Sequence, residues 1–259
     1  MLLAIDIGNS NTVIGVFDGE KLVAESRTTI SPDDTPDETW ARIKNLCTNH
    51  GIATQSLRGI GISSVVPALT STFETIARKN LGGEPVTVNA GLDLGIKVLY
   101  DNPMTLGADR LCNAVAGYTK YGGPLIVIDF GTATTYDVVS ERGDFLGGVI
   151  ALGVASTAAE LHRRTAKLPK IELEFPRRAI AKDTVSAMQA GVLFGAVDAM
   201  EGMIRRIKVE LGSNATVVAA GGLSALVGRE TNIIDHYEPA LVLEGVRLIY
   251  ERVKGMKRI

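Results

Sequence analysis

The chain has 259 residues, a hydrophobic fraction of 46% and a formal net charge of -2. That length can form one large domain or two of ordinary size, with enough apolar residues for substantial cores. A nearly balanced charge supplies no field that would hold a polyanion by counterion release, so nucleic acid is not an expected partner.

The cysteines and the start of the chain indicate a compartment. Cys47 and Cys112 lie in stretches typical of helices and lack the CxxC or His-rich spacing of a disulfide framework or a zinc site. The apolar start is interrupted at Asp6, and no stretch approaches the roughly 20 apolar residues of a membrane span. We predict a cytoplasmic protein with no membrane partner.

A sequence repeat divides the chain. The copy that begins at Leu2 reads LLAIDIGNSNT, and the copy that begins at Leu125, 123 residues later, reads LIVIDFGTATT. This offset is close to the common size of a domain. We therefore predict two similar lobes, residues 1–118 and residues 119–259.

In each copy an apolar run of strand length ends in Asp-x-Gly, followed by small hydroxyl or amide residues and a second strand. Turns at Asp18–Gly19 and Arg142–Asp144 predict a third antiparallel strand. Further helices are predicted over Thr35–Asn49, Leu69–Leu81 and Ala108–Tyr118, and further strands over Gly59–Val66, Pro85–Asn89 and Val217–Ala220. Strands that alternate with helices favour parallel additions, so each lobe is predicted to be α/β with a mixed sheet.

The longest predicted helix covers about Val185–Leu211, with Asp183 or Thr184 as its N-cap. Its apolar stripe is predicted to be core, although small and flexible residues also suit a helix-to-helix dimer contact. The stripe consists of Met188, Val192, Ala196, Ala199, Met203 and Ile207. Residues 163–182, which precede the helix, are rich in Arg, Lys and Pro and are predicted to form a solvated lid or interface loop.

The two Asp-x-Gly strand ends suit nucleotide binding. Glycine lets the backbone approach phosphate oxygens, and Asn, Ser and Thr offer uncharged donors. Magnesium keeps several waters and needs only one or two carboxylates, so Asp6 is the candidate for the Mg²⁺ that accompanies ATP. A single such turn usually bonds only its own backbone. Two turns in matching contexts favour function.

A third acidic position opens the helix that follows Gly107. Phosphoryl transfer to an alcohol needs a carboxylate that accepts the hydroxyl proton, and Asp109 is the candidate. Arg110 would present a planar fork to a substrate carboxylate. The alternative is that Asp109 only stabilises the helix dipole beside a surface arginine. Gly221–Gly222 either accepts an adenine or ribose closely or is only a tight connection.

The sequence resembles the type III pantothenate kinases over essentially its whole length. The motifs that carry the resemblance are Asp-Ile-Gly-Asn-Ser-Asn-Thr at Asp6–Thr12, Ser-Ser-Val-Val-Pro at Ser63–Pro67, Gly-Ala-Asp-Arg at Gly107–Arg110, Asp-Phe-Gly-Thr-Ala-Thr-Thr at Asp129–Thr135 and Ala-Ala-Gly-Gly-Leu at Ala219–Leu223. Ser10 stands where many relatives have Thr, and the hydroxyl is retained. The resemblance implies two ribonuclease-H-like lobes of the actin-like ATPase kind.

The resemblance also implies an activity. It is the phosphorylation of pantothenate by ATP to 4'-phosphopantothenate, the first step of coenzyme A biosynthesis, with Mg²⁺ and a monovalent cation (K⁺ or NH4⁺). The implied ATP contacts are Asp6, Ile7, Gly8, Asn9, Ser10, Asn11, Thr12, Val13 and Thr132. The implied pantothenate contacts are Tyr100, Gly107, Ala108, Asp109, Arg110 and Thr184.

Particular roles follow from the same resemblance. Asp109 is the implied proton acceptor, Asp6 the Mg-ATP ligand and Asp129 the ligand of the monovalent cation. Thr184 is implied to reach the site from a partner subunit, which predicts a homodimer with a shared active site. Two alternatives stay open at this point. One is a sugar or carboxylate kinase of the same fold, and the other is a non-catalytic transcription accessory factor, against which the absence of a helix-turn-helix pattern argues.

Overall fold

A computed structural model describes residues 1–255, and the structural statements that follow concern this part of the chain. In chain order the strands are β1 (Leu2–Ile7), β2 (Thr12–Asp18), β3 (Lys21–Thr28), β4 (Gly59–Ser64), β5 (Val86–Thr87), β6 (Leu125–Phe130), β7 (Ala133–Val139), β8 (Phe145–Leu152), β9 (Thr216–Ala220) and β10 (His236–Tyr237). The helices are α1 (Pro36–Asn49), α2 (Pro67–Ile76), α3 (Ala108–Tyr121), α4 (Val154–Arg164), α5 (Thr184–Leu211), α6 (Ser224–Val227) and α7 (Leu241–Val253).

Two compact units make up the chain. The first comprises residues 1–120 together with residues 240–255, and the second comprises Tyr121–Pro239. Each contains one five-stranded sheet, of order β3-β2-β1-β4-β5 in the first unit and β8-β7-β6-β9-β10 in the second. In both sheets the first three strands are antiparallel and the last two are added in parallel. The predicted α/β fold with mixed sheets is confirmed.

The sequence repeat is a structural repeat with one difference at the hairpin tip. Asp6 is the penultimate residue of β1 and Asp129 that of β6. Asp6 pairs with Val13, whereas Asp129 pairs with Thr135, so the second hairpin is one residue shorter between the paired positions. When the two copies are aligned without a gap, Thr12 at the start of β2 matches Thr135, but β7 already begins at Ala133.

The two faces of the first sheet have different side chains. The odd-numbered residues of β1 and the even-numbered residues of β4 point into a core that α1 and α2 cover. Its largest fully buried side chains include Leu3, Ile5, Ile14, Ile43, Ile60 and Phe73. The opposite face carries small or polar residues, among them Gly59, Gly61 and Ser63 of β4 and Asp6 of β1.

Helix α7 lies against this glycine-bearing face. A Cβ at Gly61 would come within 2.6 Å of Val246 Cγ1, and one at Gly15 within 2.8 Å of Leu243 Cδ1. Because only glycine leaves this space, the last helix packs on the first sheet. The predicted linear division at residues 118 and 119 differs from this arrangement, since residues 119–259 would have included α7.

Helix α5 is the longest element of the second unit. Its N-cap is Asp183, whose carboxylate accepts the Ser186 N–H at 2.9 Å, and its C-cap is Gly212, which has a φ of 65°. Most of the predicted apolar stripe is buried or half-buried in the core of this unit, but Ala199 is exposed. The basic segment before α5 has no regular structure after Arg164, where α4 ends. None of the described helices is both long and apolar enough to span a bilayer.

Candidate active site

Two predicted carboxylates, Asp6 and Asp109, lie close to the same buried thiol in the first unit. Cys112 is fully buried in the first turns of α3. Burial raises the pKa of its thiol well above the usual range, and the charges of Asp6 and Asp109 raise it further, whereas a hydrogen bond with Ser63 lowers it. Charges act on a thiol in this way only at short range in a low dielectric. The ends of β1 and β4 and the start of α3 therefore form one acidic site.

The start of α3 holds Asp109 in a tight turn. Its Oδ1 accepts the backbone N–H of Arg110 at 2.8 Å. A Cβ at Gly107 would collide with that same oxygen, so glycine leaves room for the carboxylate in this position. Burial raises the pKa of Asp109, while the backbone donor and the charge of Arg110 lower it in part. A carboxylate with a raised pKa is a better proton acceptor at neutral pH.

Arg110 is buried, with only 5% of its surface exposed. The arginine of the alternative interpretation is therefore not at the surface. A guanidinium is buried only where anions or acceptors compensate its lost hydration. Its position next to Asp109 on α3 fits a group that binds an anionic part of a substrate.

The tip of the first hairpin presents polar groups to solvent. The Gly8 N–H donates to Asn11 O at 3.0 Å, which closes the loop, and residues 9–11 are exposed. Three other members of the predicted ATP loop have buried side chains, namely Ile7, Thr12 and Val13. The exposed amides and hydroxyl can therefore contact phosphate directly, whereas the buried members can contribute only through the backbone.

The second unit holds Asp129 at the end of β6. A Cβ at Gly221, whose φ is 82°, would collide with Asp129 Oδ1 and lie 2.8 Å from Phe130 N. Gly221 thus permits a close connection after β9. Thr132 is exposed at the tip of the hairpin that joins β6 to β7. Its carbonyl accepts the Gly153 N–H at 3.1 Å and the Ser156 hydroxyl at 2.8 Å. The first turn of α4 therefore starts against this tip.

The residues of both tips fit cations that are held by oxygen. Within residues 1–255 no group of three or more His, Cys, Asp or Glu could form a protein-only metal cage. Magnesium bound with a nucleotide needs no such cage, because phosphates and water supply most of its ligands. Thr135 lies opposite Asp129 in the β6–β7 pair, and its buried hydroxyl has no hydrogen-bond partner among the described residues. An oxygen-coordinated monovalent ion suits this pair.

Two predicted pantothenate contacts lie apart from the Asp109 turn in sequence. Tyr100 is half-buried in an irregular segment of the first unit. Thr184 is the exposed first residue of α5 in the second unit.

Sequence reasoning missed Ser63 and Cys112 as members of the acidic site. Ser63 lies at the end of a predicted strand and Cys112 one turn into a predicted helix. The signal that could have found Ser63 is that the carboxyl ends of parallel strands meet at one edge of a sheet. When the strand at Gly59–Val66 is placed parallel to the first strand, Ser63 lies next to Asp6.

The fold is of the kind found in actin-like ATPases and sugar kinases. Solved structures share the fold at low identity. A hexokinase of the ROK class from Thermus thermophilus is 14% identical with a TM-score of 0.56, covering 98% of this chain and 99% of its own. A Campylobacter jejuni protein described as a candidate Baf family transcriptional activator is 18% identical with a TM-score of 0.62, at 98% and 99% coverage.

Sequence comparison is more specific. The type III pantothenate kinase family pattern matches residues 2–206. A type III pantothenate kinase from Moorella thermoacetica is 45% identical over 252 residues, which is 97% of this chain and 99% of the relative. One from Syntrophus aciditrophicus is likewise 45% identical over 252 residues, with the same coverage. The chain belongs to the type III pantothenate kinase family.

Proposed function

We infer that this protein transfers the γ-phosphoryl group of ATP to the primary hydroxyl of pantothenate. The product is 4'-phosphopantothenate, and the reaction is the first step of coenzyme A biosynthesis. ATP and a divalent metal ion are required, as in kinases generally. The observation that carries the inference is that Asp6 and Asp109 both lie within electrostatic reach of the buried Cys112 thiol in a chain of this family.

Asp109 is proposed as the proton acceptor. Transfer of phosphoryl to an alcohol requires that the hydroxyl proton leave as the new P–O bond forms, and a positioned carboxylate accelerates this step. The raised pKa of Asp109, caused by burial, brings its proton affinity closer to that needed near neutrality. Its Oδ1 is held by the Arg110 N–H, so the carboxylate has a fixed orientation.

Arg110 is proposed to bind the pantothenate carboxylate. Its planar fork can make two parallel hydrogen bonds to a carboxylate, which lysine cannot. Tyr100, Gly107 and Ala108 are proposed to line the same pocket, and Gly107 also allows the Asp109 turn to form.

The first hairpin tip is proposed to bind the ATP phosphates. Residues 9–11 offer exposed amide and hydroxyl donors, and Gly8 keeps the backbone close. Asp6 would hold Mg²⁺, which neutralises charge on the phosphates when it is bound with ATP. In the second unit, Thr132 is proposed as a further ATP contact on an exposed tip.

Asp129 is proposed to bind the monovalent cation, K⁺ or NH4⁺. The support is its position opposite Thr135, whose buried hydroxyl oxygen could be a second ligand. Replacing K⁺ by Na⁺ should weaken ATP binding, measured by calorimetry at constant ionic strength. The Asp129→Asn variant should show no difference between the two ions. Equal ATP affinity of the unmodified protein in both salts would remove the assignment.

The assembly and location are also proposals. We propose a homodimer in which Thr184 contacts pantothenate bound to the partner subunit. Thr184 is exposed at the start of α5, where backbone N–H groups point away from the helix. We propose a cytoplasmic location because both cysteines are free, as in a reducing compartment.

A substrate panel tests the function. Purified protein is incubated with ATP, Mg²⁺, K⁺ and one of several hydroxylated acids or sugars, and ADP release is followed. Pantothenate should give the highest kcat/KM. If a sugar reacts while pantothenate gives only background, the assignment of substrate fails and a sugar kinase of the same fold replaces it.

A further inference from the structure

We propose that Ser63 is a positioning residue for Asp6, whose orientation it maintains for binding metal-bound ATP. The Ser63 hydroxyl donates to Asp6 Oδ1 at 2.9 Å. Ser63 is fully buried, so water does not compete for this donor. The inference rests on the proposed role of Asp6 and adds a residue to which no role has been assigned.

Sheet geometry fixes this contact. β1 and β4 are parallel neighbours, and Asp6 pairs directly with Ser63. Both side chains lie on the face of the sheet opposite the core that α1 and α2 cover, because side chains alternate along a strand. The hydroxyl therefore lies beside the carboxylate. Because the serine side chain is short, it loses little conformational entropy when it forms this hydrogen bond.

The second unit provides an internal comparison. There the residue that pairs with Asp129 across the parallel strands is Ala220, at the end of β9. The same sheet order thus forms with alanine at the matching position, so the fold itself does not require a hydroxyl. Ser63 differs from Ala220 in one atom, and that atom contacts Asp6.

A hydrogen-bond donor beside a metal ligand matters because it fixes the orientation of that ligand. The Ser63 hydroxyl holds Asp6 Oδ1 through a bond of 2.9 Å. Loss of such a partner typically weakens metal binding about 10- to 100-fold.

The test is Ser63→Ala, with Ser64→Ala as the matched control. Ser64 is the next residue of β4, and its Oγ instead accepts the Val66 N–H at 3.0 Å and the Thr70 hydroxyl at 2.7 Å. We expect Ser63→Ala to raise the Mg²⁺ concentration for half-maximal activity and the KM for ATP about 10- to 100-fold. The KM for pantothenate should change little. Ser64→Ala should lower Tm without changing the Mg²⁺ dependence.

Two outcomes would overturn the proposal. One is an unchanged Mg²⁺ dependence and KM for ATP in Ser63→Ala. The other is a loss of activity in Ser63→Ala that follows its Tm and that Ser64→Ala reproduces, since the role would then be structural. Calorimetric titration of Mg-ATP into the protein without an acceptor makes the result independent of the substrate assignment. If pantothenate is not phosphorylated but Ser63→Ala still weakens Mg-ATP binding, the proposed substrate fails and the Ser63 proposal stands.

Discussion

Asp109 shows how one short motif sets both geometry and proton affinity. Gly107 leaves space for the Asp109 carboxylate, the helix start supplies the N–H that holds its Oδ1, and burial raises its pKa. Residue types and spacing predicted the acid at this position. They could not predict its burial, because burial depends on how α3 packs against the sheet.

Replacement of Asp109 by Asn should lower kcat about 10²- to 10⁴-fold, the usual contribution of a general base. The amide keeps the shape and can still accept the Arg110 N–H, so the fold and ATP binding should persist. Steady-state kinetics and calorimetric ATP titration measure the two effects. The control is Asp18→Asn, an exposed substitution at the end of β2 that lies away from the first hairpin tip. A kcat near that of the unmodified protein would limit Asp109 to substrate positioning.

The same variant should be more stable than the unmodified protein at neutral pH. Burial raises the pKa of Asp109 above its ordinary value of 3.8. The folded state therefore holds this proton more tightly than the unfolded state, and the resulting stability is lost as pH rises through the raised pKa. The Tm gain of Asp109→Asn should be present at neutral pH and shrink as pH falls toward 3.8. A gain independent of pH would contradict this explanation.

At the scale of elements, glycines decide which helix covers which face. Gly15 and Gly61 make space for α7 on the first sheet, and Gly245 of α7 lies against the backbone of α3 at Cys112. The apolar periodicity of a helix indicates which of its sides is buried but not which sheet it packs on. For that reason the linear division of the chain differs from the two units of the structure, although the strands other than β10 and most helices were predicted.

Gly245→Ala should destabilise the protein by about 1–3 kcal/mol, the usual effect of overpacking. Its Cβ would lie 2.6 Å from Cys112 Cα and collide with the Cys112 carbonyl, and backbone atoms cannot move aside easily. Gly191→Ala in α5 is the matched control, since its Cβ would have no atom within 4 Å. The control should be neutral or stabilised by up to about 1 kcal/mol, because alanine is the better helix former. If denaturant unfolding shows that both variants change the free energy of unfolding in the same direction, this explanation is contradicted.

At the scale of the whole molecule, the internal repeat was the main basis for predicting the fold. It indicated two α/β units and placed Asp6 and Asp129 at matching strand ends. It missed the shorter second hairpin, because an ungapped alignment cannot detect a deletion in a loop. It also missed Ser63, which contacts Asp6 across 57 residues of chain and is adjacent to it only once the sheet order is known.

A shared active site makes a prediction about mixed subunits. If Thr184 acts in the partner subunit, the variants Asp109→Asn and Thr184→Ala should each be weak alone and recover activity when refolded together. Random pairing gives one complete site in each mixed dimer, so about a quarter of the unmodified activity should return. Sedimentation should give twice the 27.5 kDa mass of the chain. No recovery in mixed dimers would place both residues in the same subunit's site.

Phosphorus NMR of the reaction products tests the central claim most directly. Purified protein with ATP, Mg²⁺, K⁺ and pantothenate should produce ADP and one phosphomonoester signal, on the primary alcohol of pantothenate, in equal amounts. Asp109→Asn should produce little of either in the same time. ADP accompanied only by free phosphate, or a phosphoester that forms on a sugar and not on pantothenate, would contradict the account.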